Sequence, residues 1–143
     1  MKISNLLILF LALSFSACGQ STKPKSNTNT KTTKKIMIDT NKLTNETVKK
    51  AFEAWQNGDS KTFLSFFTDD AQLYDDGNPR NFQGFVKEAC GHEKFTSIEK
   101  VENDGKNITG EFHTESWGNF KTYFNFTINK DGKVNRLDIG QAK

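Results

Sequence analysis

Between residues 44 and 90, apolar positions recur at helical spacing in three separate stretches. Four of them follow i, i+3, i+4, i+7 spacing and so share one helix face: Val48, Ala51, Phe52 and Trp55. Thr44 is the predicted N-cap of this helix, and Gly58 follows its predicted end. A second, shorter helix is predicted to carry the apolar residues of 63–67, and a third is predicted over 82–90.

After the third helix the pattern changes to the alternation of apolar and polar residues that is typical of strands. Four strands are predicted there, over 93–102, 107–117, 120–129 and 133–139. A short strand is also predicted over 71–75, between the second and third helices. Gly118 and Asn119 are predicted to form a two-residue hairpin turn with glycine first. Three helices followed by an antiparallel sheet indicate an α+β domain.

The N-terminal segment has neither pattern. Lys2 is followed by an apolar run over 6–13 and by small residues before Cys18. This is the layout of a secretory signal, and the run is too short for a membrane span, which takes about 20 apolar residues. A cysteine directly after small residues resembles the lipobox of bacterial lipoproteins, in which that cysteine is lipidated. The resemblance implies a signal peptide over 1–17 and a lipid on Cys18, whereas an ordinary signal peptide with its cut near a cysteine is the alternative.

Charge divides the rest of the chain. The formal net charge of the whole chain is +3, but residues 19–40 carry five lysines and one aspartate, whereas residues 41–143 have a net charge of −2. Residues 18–40 are therefore predicted to be the lipidated cysteine and a disordered basic tether, and 41–143 the folded domain. An acidic domain argues against nucleic-acid binding. Acidic residues after a lipidated cysteine resemble surface-export signals, and their absence after Cys18 favours a periplasm-facing place in the bacterial cell envelope.

Three strings stand in a characteristic order along the domain: residues 54–59 (AWQNGD), 66–71 (FFTDDA) and 82–84 (FQG). With the final strands, this order resembles the nuclear-transport-factor-2-like superfamily, which includes ketosteroid isomerases and polyketide-cyclase-like proteins. The resemblance covers roughly residues 44–141. It implies a cone in which a curved antiparallel sheet packs on three N-terminal helices, with a pocket on the concave side. Enzymes and non-enzymes share this fold, so the fold leaves function open.

The resemblance to the isomerase branch can be followed residue by residue. Asp75 stands where that branch has its carboxylate base, and a carboxyl beside apolar walls could act as a general base if its pKa were raised. Ala51 and Phe124 stand at the two positions of the oxyanion hole, which needs a tyrosine and a protonated aspartate. Ketosteroid isomerase activity is therefore not expected, because two of the three catalytic groups are missing.

The predicted two-residue turn also assigns side chains to the two faces of the sheet. It pairs His113 with Phe124, which places His113 toward the pocket together with Asp75. The predicted pocket residues are Trp55, Leu73, Asp75, His113, Trp117, Phe120 and Phe124. A structural role is the alternative for each: the aromatic residues could fill the core, and His113 could be a hydrogen-bonded residue at the rim. A bulge in the strand would reverse the assignment of faces.

The expected function is that of a membrane-anchored envelope lipoprotein whose domain is a non-catalytic binding module for a small apolar ligand or a protein partner. The alternative is a lyase or isomerase that transfers protons with Asp75 and His113. A homodimer through the outer face of the sheet, expected to carry Lys121, Tyr123 and Phe112, is a further expectation. No metal site and no cofactor are expected, since no Cys/His cluster and no phosphate-binding glycine loop occurs. Cys90 is expected to be a small core residue.

Overall fold

The computed structural model describes residues 38–143. The predicted signal peptide, Cys18 and the predicted tether up to residue 37 lie outside the described residues. A short 3-10 turn, Thr40–Lys42, precedes three helices and seven strands. The helices are α1 (Glu46–Asn57), α2 (Ser60–Ser65) and α3 (Phe82–Ala89). The strands are β1 (Phe67–Asp75), β2 (Asn78–Arg80), β3 (Lys94–Phe95), β4 (Lys100–Glu102), β5 (Asn107–Thr114), β6 (Gly118–Ile128) and β7 (Val134–Gln141).

Helix α1 forms where its apolar face was predicted. Its N-cap is Asn45, one residue after the predicted cap, because the Asn45 side chain accepts a hydrogen bond of 3.1 Å from the backbone N–H of Val48. The predicted face is buried, including the fully buried Trp55. The helix ends at Gly58, whose φ of 74° is the left-handed conformation that favours glycine.

The second helix is shorter than predicted, and the strand after it is longer. Helix α2 ends at Ser65, and β1 begins at Phe67, four residues before the predicted strand. Phe67 is buried against the core and pairs with Val134 at the start of β7. The pairing of β1 with β7 shifts register between Phe67 and Gln72. This irregularity interrupts the alternation of apolar and polar residues from which a strand can be predicted in a sequence.

The seven strands form one sheet in the order β2-β1-β7-β6-β5-β3, and β4 also pairs with β5. All neighbours are antiparallel except β1 and β7, which are parallel. The helices pack on one face of this curved sheet, where Trp55 of α1 meets Phe124 of β6 and Phe63 of α2 meets Phe67 of β1. The predicted α+β cone is therefore confirmed for the described part of the chain.

The strand predicted over 93–102 is divided into β3 and β4, which both pair with β5. Between them, residues 96–99 bulge as they run alongside β5, and the backbone N–H groups of Thr96 and Glu99 donate to the carbonyls of Glu111 and Thr109. Gly110 lies beside this bulge, where any Cβ atom would collide with the carbonyl oxygen of Ser97. Glycine at this position allows the two backbones to approach.

The hairpin between β5 and β6 has a three-residue loop, residues 115–117, and the predicted two-residue turn was wrong. Thr114 pairs with Gly118, whose φ of 73° suits the residue that follows a loop of this length. The observed partner of each β5 residue on β6 lies an odd number of residues away from the predicted partner. Each side chain of β5 therefore points to the opposite face of the sheet from the predicted one. Phe112 points to the core opposite Phe120, and His113 points to the outer face.

The core is built largely from aromatic rings. Trp55 is at its centre, with ring centroids at 5.2 Å from Phe63, 5.4 Å from Phe85 and 5.5 Å from Phe124. Such edge-to-face and stacked arrangements add about 0.5–1.5 kcal/mol per pair to the free energy of burial. Cys90 belongs to the buried core, as expected, and forms no disulfide within the described part of the chain.

Candidate functional site

A cleft of about 450 Å³ opens between the ends of β5, β6 and β7, the β1–β2 hairpin and the chain around residue 93. Its apolar walls come from six side chains: Phe85, Phe112, Trp117, Phe120, Phe124 and Ile139. The alternation along β5 and β6 places Phe112, Phe120 and Phe124 on one face, together with Thr114 and Thr122. The cleft is thus an extension of the aromatic core to the surface.

An ion pair lies at one side of the cleft. A tight turn at Asp76 and Gly77, both with positive φ, folds β2 back on β1 and brings Arg80 near Asp75. The Arg80 Nη1 atom donates to Asp75 Oδ2 at 2.6 Å, and the guanidinium carbon lies 4.6 Å from the centre of the Phe85 ring. Both side chains are about one-third to one-half exposed, so this pair adds little stability but fixes the position of its two charges.

Glu93 is the functional candidate that the sequence analysis missed. It lies in the cleft wall, and burial raises the pKa of its carboxyl; Arg80 lowers that pKa and Asp75 raises it. Its backbone is held in place, because its carbonyl accepts from Trp55 Nε1 at 2.7 Å and its N–H donates to the Ala89 carbonyl at 2.8 Å. A carboxyl of raised pKa can bind a cationic group or transfer a proton.

Four of the seven predicted pocket residues line the cleft: Asp75, Trp117, Phe120 and Phe124. The predictions for Trp55 and Leu73 were wrong, since both are buried in the core and neither lines the cleft. Trp55 contacts Phe85 and Phe124 from behind and therefore supports two cleft walls. Trp117, by contrast, is 84% exposed, so it borders the mouth and does not fill the cleft.

The prediction that His113 faces the pocket was also wrong. The three-residue loop places His113 on the outer side of β5, where its Nδ1 atom is hydrogen-bonded to Asn119 Oδ1 at 2.6 Å. His113 is absent from the cleft lining, whereas Asp75 is part of it. The two side chains proposed for proton transfer therefore do not face the same space. The observed hydrogen bond to Asn119 agrees with the alternative interpretation, in which His113 is a hydrogen-bonded residue with a structural role.

The two oxyanion-hole positions carry no hydrogen-bond donor on their side chains. Ala51 is buried in α1, and Phe124 lines the cleft with its ring. The charged groups of the cleft lie instead on the β1–β2 hairpin and at Glu93. The arrangement of the isomerase branch is thus absent from the described residues.

The outer face of the sheet is polar. Lys121 and Tyr123 lie there as predicted, and Lys121 Nζ is 2.9 Å from Glu99 Oε2, while Phe112 is buried on the opposite face. Arg136 lies over the Tyr74 ring at 4.0 Å from its centre and makes two hydrogen bonds to Asp138. These charges are paired within the chain, and the homodimer through this face stays a prediction.

Within residues 38–143, no group of three or more His, Cys, Asp or Glu side chains is arranged to hold a metal ion. None of the helices in this range is long and apolar enough to cross a membrane.

Comparison with known proteins adds evidence on the fold. No family model matches the chain, and no curated protein matches it. Solved structures do match. A nuclear-transport-factor-2-like protein from Cytophaga hutchinsonii is 10% identical, with a TM-score of 0.54 over 74% of this chain and 92% of that one. A putative polyketide cyclase from Xanthomonas campestris is 17% identical, with a TM-score of 0.51 over 67% of this chain and 87% of that one.

A third match is an orange carotenoid protein from Anabaena, in a structure that binds canthaxanthin. It is 21% identical, with a TM-score of 0.55 over 66% of this chain, and this chain spans only 35% of its length. At these identities the similarities concern the fold alone. They show that the described domain has the nuclear-transport-factor-2-like fold that the sequence resembles.

Proposed function

We propose that this protein is a non-catalytic binding module that holds a small apolar ligand in the cleft beside Asp75. The cleft carries the proposal: its volume of about 450 Å³ lies within the range of about 300–1,000 Å³ that is usual for small-molecule sites. Its apolar walls are aromatic apart from Ile139, and its charged groups lie on the β1–β2 hairpin and at Glu93. Aromatic walls provide a large apolar area, and a few polar groups orient the ligand.

The structural neighbours support a ligand of this kind. The Anabaena protein with the same fold is an orange carotenoid protein in a structure that binds canthaxanthin, although this chain spans only 35% of its length. The catalytic alternative, proton transfer by Asp75 with His113, lacks its geometric requirement, because only Asp75 lines the cleft. In addition, Asp75 is already engaged by Arg80 at 2.6 Å. Binding without catalysis is therefore the function that the geometry supports best.

The proposal extends to where the protein works. Cys18, after an export signal over 1–17, is the lipidation site, and residues 18–40 tether the domain to the membrane of the bacterial cell envelope, facing the periplasm. A single acyl chain binds membranes only marginally, so several chains on Cys18, or one chain with the basic tether, would be needed for stable anchoring. Mass spectrometry of the N-terminal peptide from bacterial membranes tests this: a lipid on Cys18 is expected, and an unmodified cysteine would contradict it. Cys18→Ser should release the protein from the membrane fraction.

Ligand binding can be tested with the neutral apolar dye Nile red. We expect saturable binding of one dye per domain, with a rise in dye fluorescence. Phe120→Asp places a charge in the cleft wall and should weaken binding about tenfold or more. Phe66→Asp is the matched control, because Phe66 is also half-buried but lies outside the cleft. Absence of saturable binding, or equal loss in both variants while both remain folded, would contradict the proposal.

A further inference from the structure

The charges that line the cleft are unequal. Three carboxylates, those of Asp75, Asp76 and Glu93, face one guanidinium, that of Arg80. Arg80 is bound to Asp75 at 2.6 Å and also lowers the pKa of Glu93, but one guanidinium cannot balance three carboxylates. The lining of the cleft therefore keeps a net negative charge beside apolar walls that are mainly aromatic.

The fold holds the carboxylate of Asp76 and the backbone of Glu93 in place. Asp76 Oδ1 accepts a hydrogen bond of 3.0 Å from the backbone N–H of Gln141, which fixes the group at the rim but leaves its charge in place. Glu93 is fixed through its backbone, and its carboxylate takes part in none of the ion pairs or side-chain hydrogen bonds among residues 38–143. Partial burial makes the charged form of Glu93 less favourable than it is in water, so a cationic group beside this carboxylate would be stabilised.

We propose that the ligand of the cleft is a cationic amphiphile, an apolar molecule that carries a protonated amine. This inference rests on the proposed function and specifies the chemical class of its ligand. The apolar body lies against the phenylalanine walls, and the ammonium group binds at Glu93. An ammonium ion can donate hydrogen bonds to a carboxylate, and such charge-assisted bonds are stronger than bonds between neutral groups.

The same charges disfavour other apolar ligands. A fatty-acid carboxylate would meet three like charges, and it would have to share the single guanidinium with Asp75. A neutral alcohol could donate one hydrogen bond to Glu93 but would leave its charge uncompensated. The expected order of affinity is therefore amine, then alcohol, then carboxylate.

The test uses three probes with the same decyl chain: decylammonium, decanol and decanoate. Affinities are measured by calorimetry near neutral pH, below the micelle concentrations of decylammonium and decanoate and below the solubility limit of decanol. We expect decylammonium to bind about tenfold or more tightly than decanol, and decanoate to bind most weakly. If the probes bind with equal affinity, or decanoate binds most tightly, this inference is overturned while apolar binding stands. If none of the three binds, the proposed function itself fails.

Two variants locate the effect at the proposed groups. Glu93→Gln should remove most of the preference for decylammonium over decanol. Arg80→Gln should increase that preference, because it removes the one competing cation. Glu88→Gln on the exposed side of α3 is the matched control and should leave the preference unchanged. A preference that survives Glu93→Gln in a protein with unchanged circular dichroism would overturn the assignment.

Discussion

The two tryptophans of the chain permit one substitution to be tested in two opposite environments. Trp55 is fully buried, whereas Trp117 is 84% exposed. We expect Trp55→Phe to destabilise the domain strongly and Trp117→Phe to leave its stability nearly unchanged. Since Trp55 supports two walls of the cleft and holds Glu93 by a hydrogen bond of 2.7 Å, Trp55→Phe should also weaken Nile red binding, without any direct contact between Trp55 and the dye.

The expected loss of stability follows from two losses at Trp55. Phenylalanine has no N–H group, so the Glu93 carbonyl loses its donor at a cost of about 1–3 kcal/mol. Phenylalanine is also smaller by about 40 Å³, and a cavity of that size costs about 1 kcal/mol. Together they lower the free energy of unfolding by about 2–4 kcal/mol. For a domain of about 100 residues this lowers Tm by about 10–20 °C.

Urea unfolding followed by far-ultraviolet circular dichroism measures both variants, because this signal does not depend on the tryptophans. Trp117→Phe should change the free energy of unfolding by no more than about 0.5 kcal/mol, as is usual for exposed side chains. A loss below about 1 kcal/mol in Trp55→Phe would refute the central role given to this residue. Equal losses in the two variants would refute the placement of Trp117 at the surface.

Three further predictions concern stability and reactivity. Burial raises the pKa of Glu93 in the folded state, so the stability contributed by the protonated carboxyl is lost as the pH rises through this raised pKa. Glu93→Gln, which has no charge, should therefore increase the urea midpoint near neutral pH. The increase should vanish at about pH 3–4, where Glu93 is protonated in both states. Gly110→Ala should cost about 2 kcal/mol or more in urea unfolding, because its Cβ atom meets the backbone carbonyl of Ser97. Gly84→Ala should change stability by less than about 1 kcal/mol, because its Cβ atom meets only the side chain of Asn81, the residue before α3, and alanine favours the helix. Burial raises the pKa of the Cys90 thiol to about 11, which leaves little reactive thiolate near neutral pH. Alkylation by iodoacetamide, measured by mass spectrometry, should therefore be at least about tenfold slower in the folded protein than in urea. Equal rates would contradict the burial of Cys90.

Elements that depend on local signals could be predicted from the sequence. The apolar face of α1 and the glycine after its end are encoded within a few residues, and both are observed. The start of β1 could not be predicted in this way. Phe67 belongs to a strand because it pairs with Val134, which is distant in the sequence, and the register shift in that pairing hides the strand alternation. Long-range pairing thus overrides the local preference for helix.

Glu93 illustrates a second limit. In the sequence it is one acidic residue among many, between a helix end and a strand. Its environment comes from three distant elements: Trp55 of α1, which holds its backbone, and the Asp75–Arg80 pair, whose charges act on its carboxyl. No spacing within the sequence brings these residues together, so this part of the site could be found only in the folded chain.

The error at His113, by contrast, could have been avoided. The buried residues of β6, Phe124 and Phe126, have even numbers, and so do Ile108 and Phe112, the large apolar residues of β5. Residues that face each other across a hairpin share a face, so burying both sets requires a loop with an odd number of residues. A two-residue turn at Gly118 meets the local preference of glycine but buries His113 in place of Phe112. Since burying a phenylalanine contributes about 1.5–3 kcal/mol, more than the preference of one turn type over another, the apolar pattern of both strands is the better guide to which residues line the cleft.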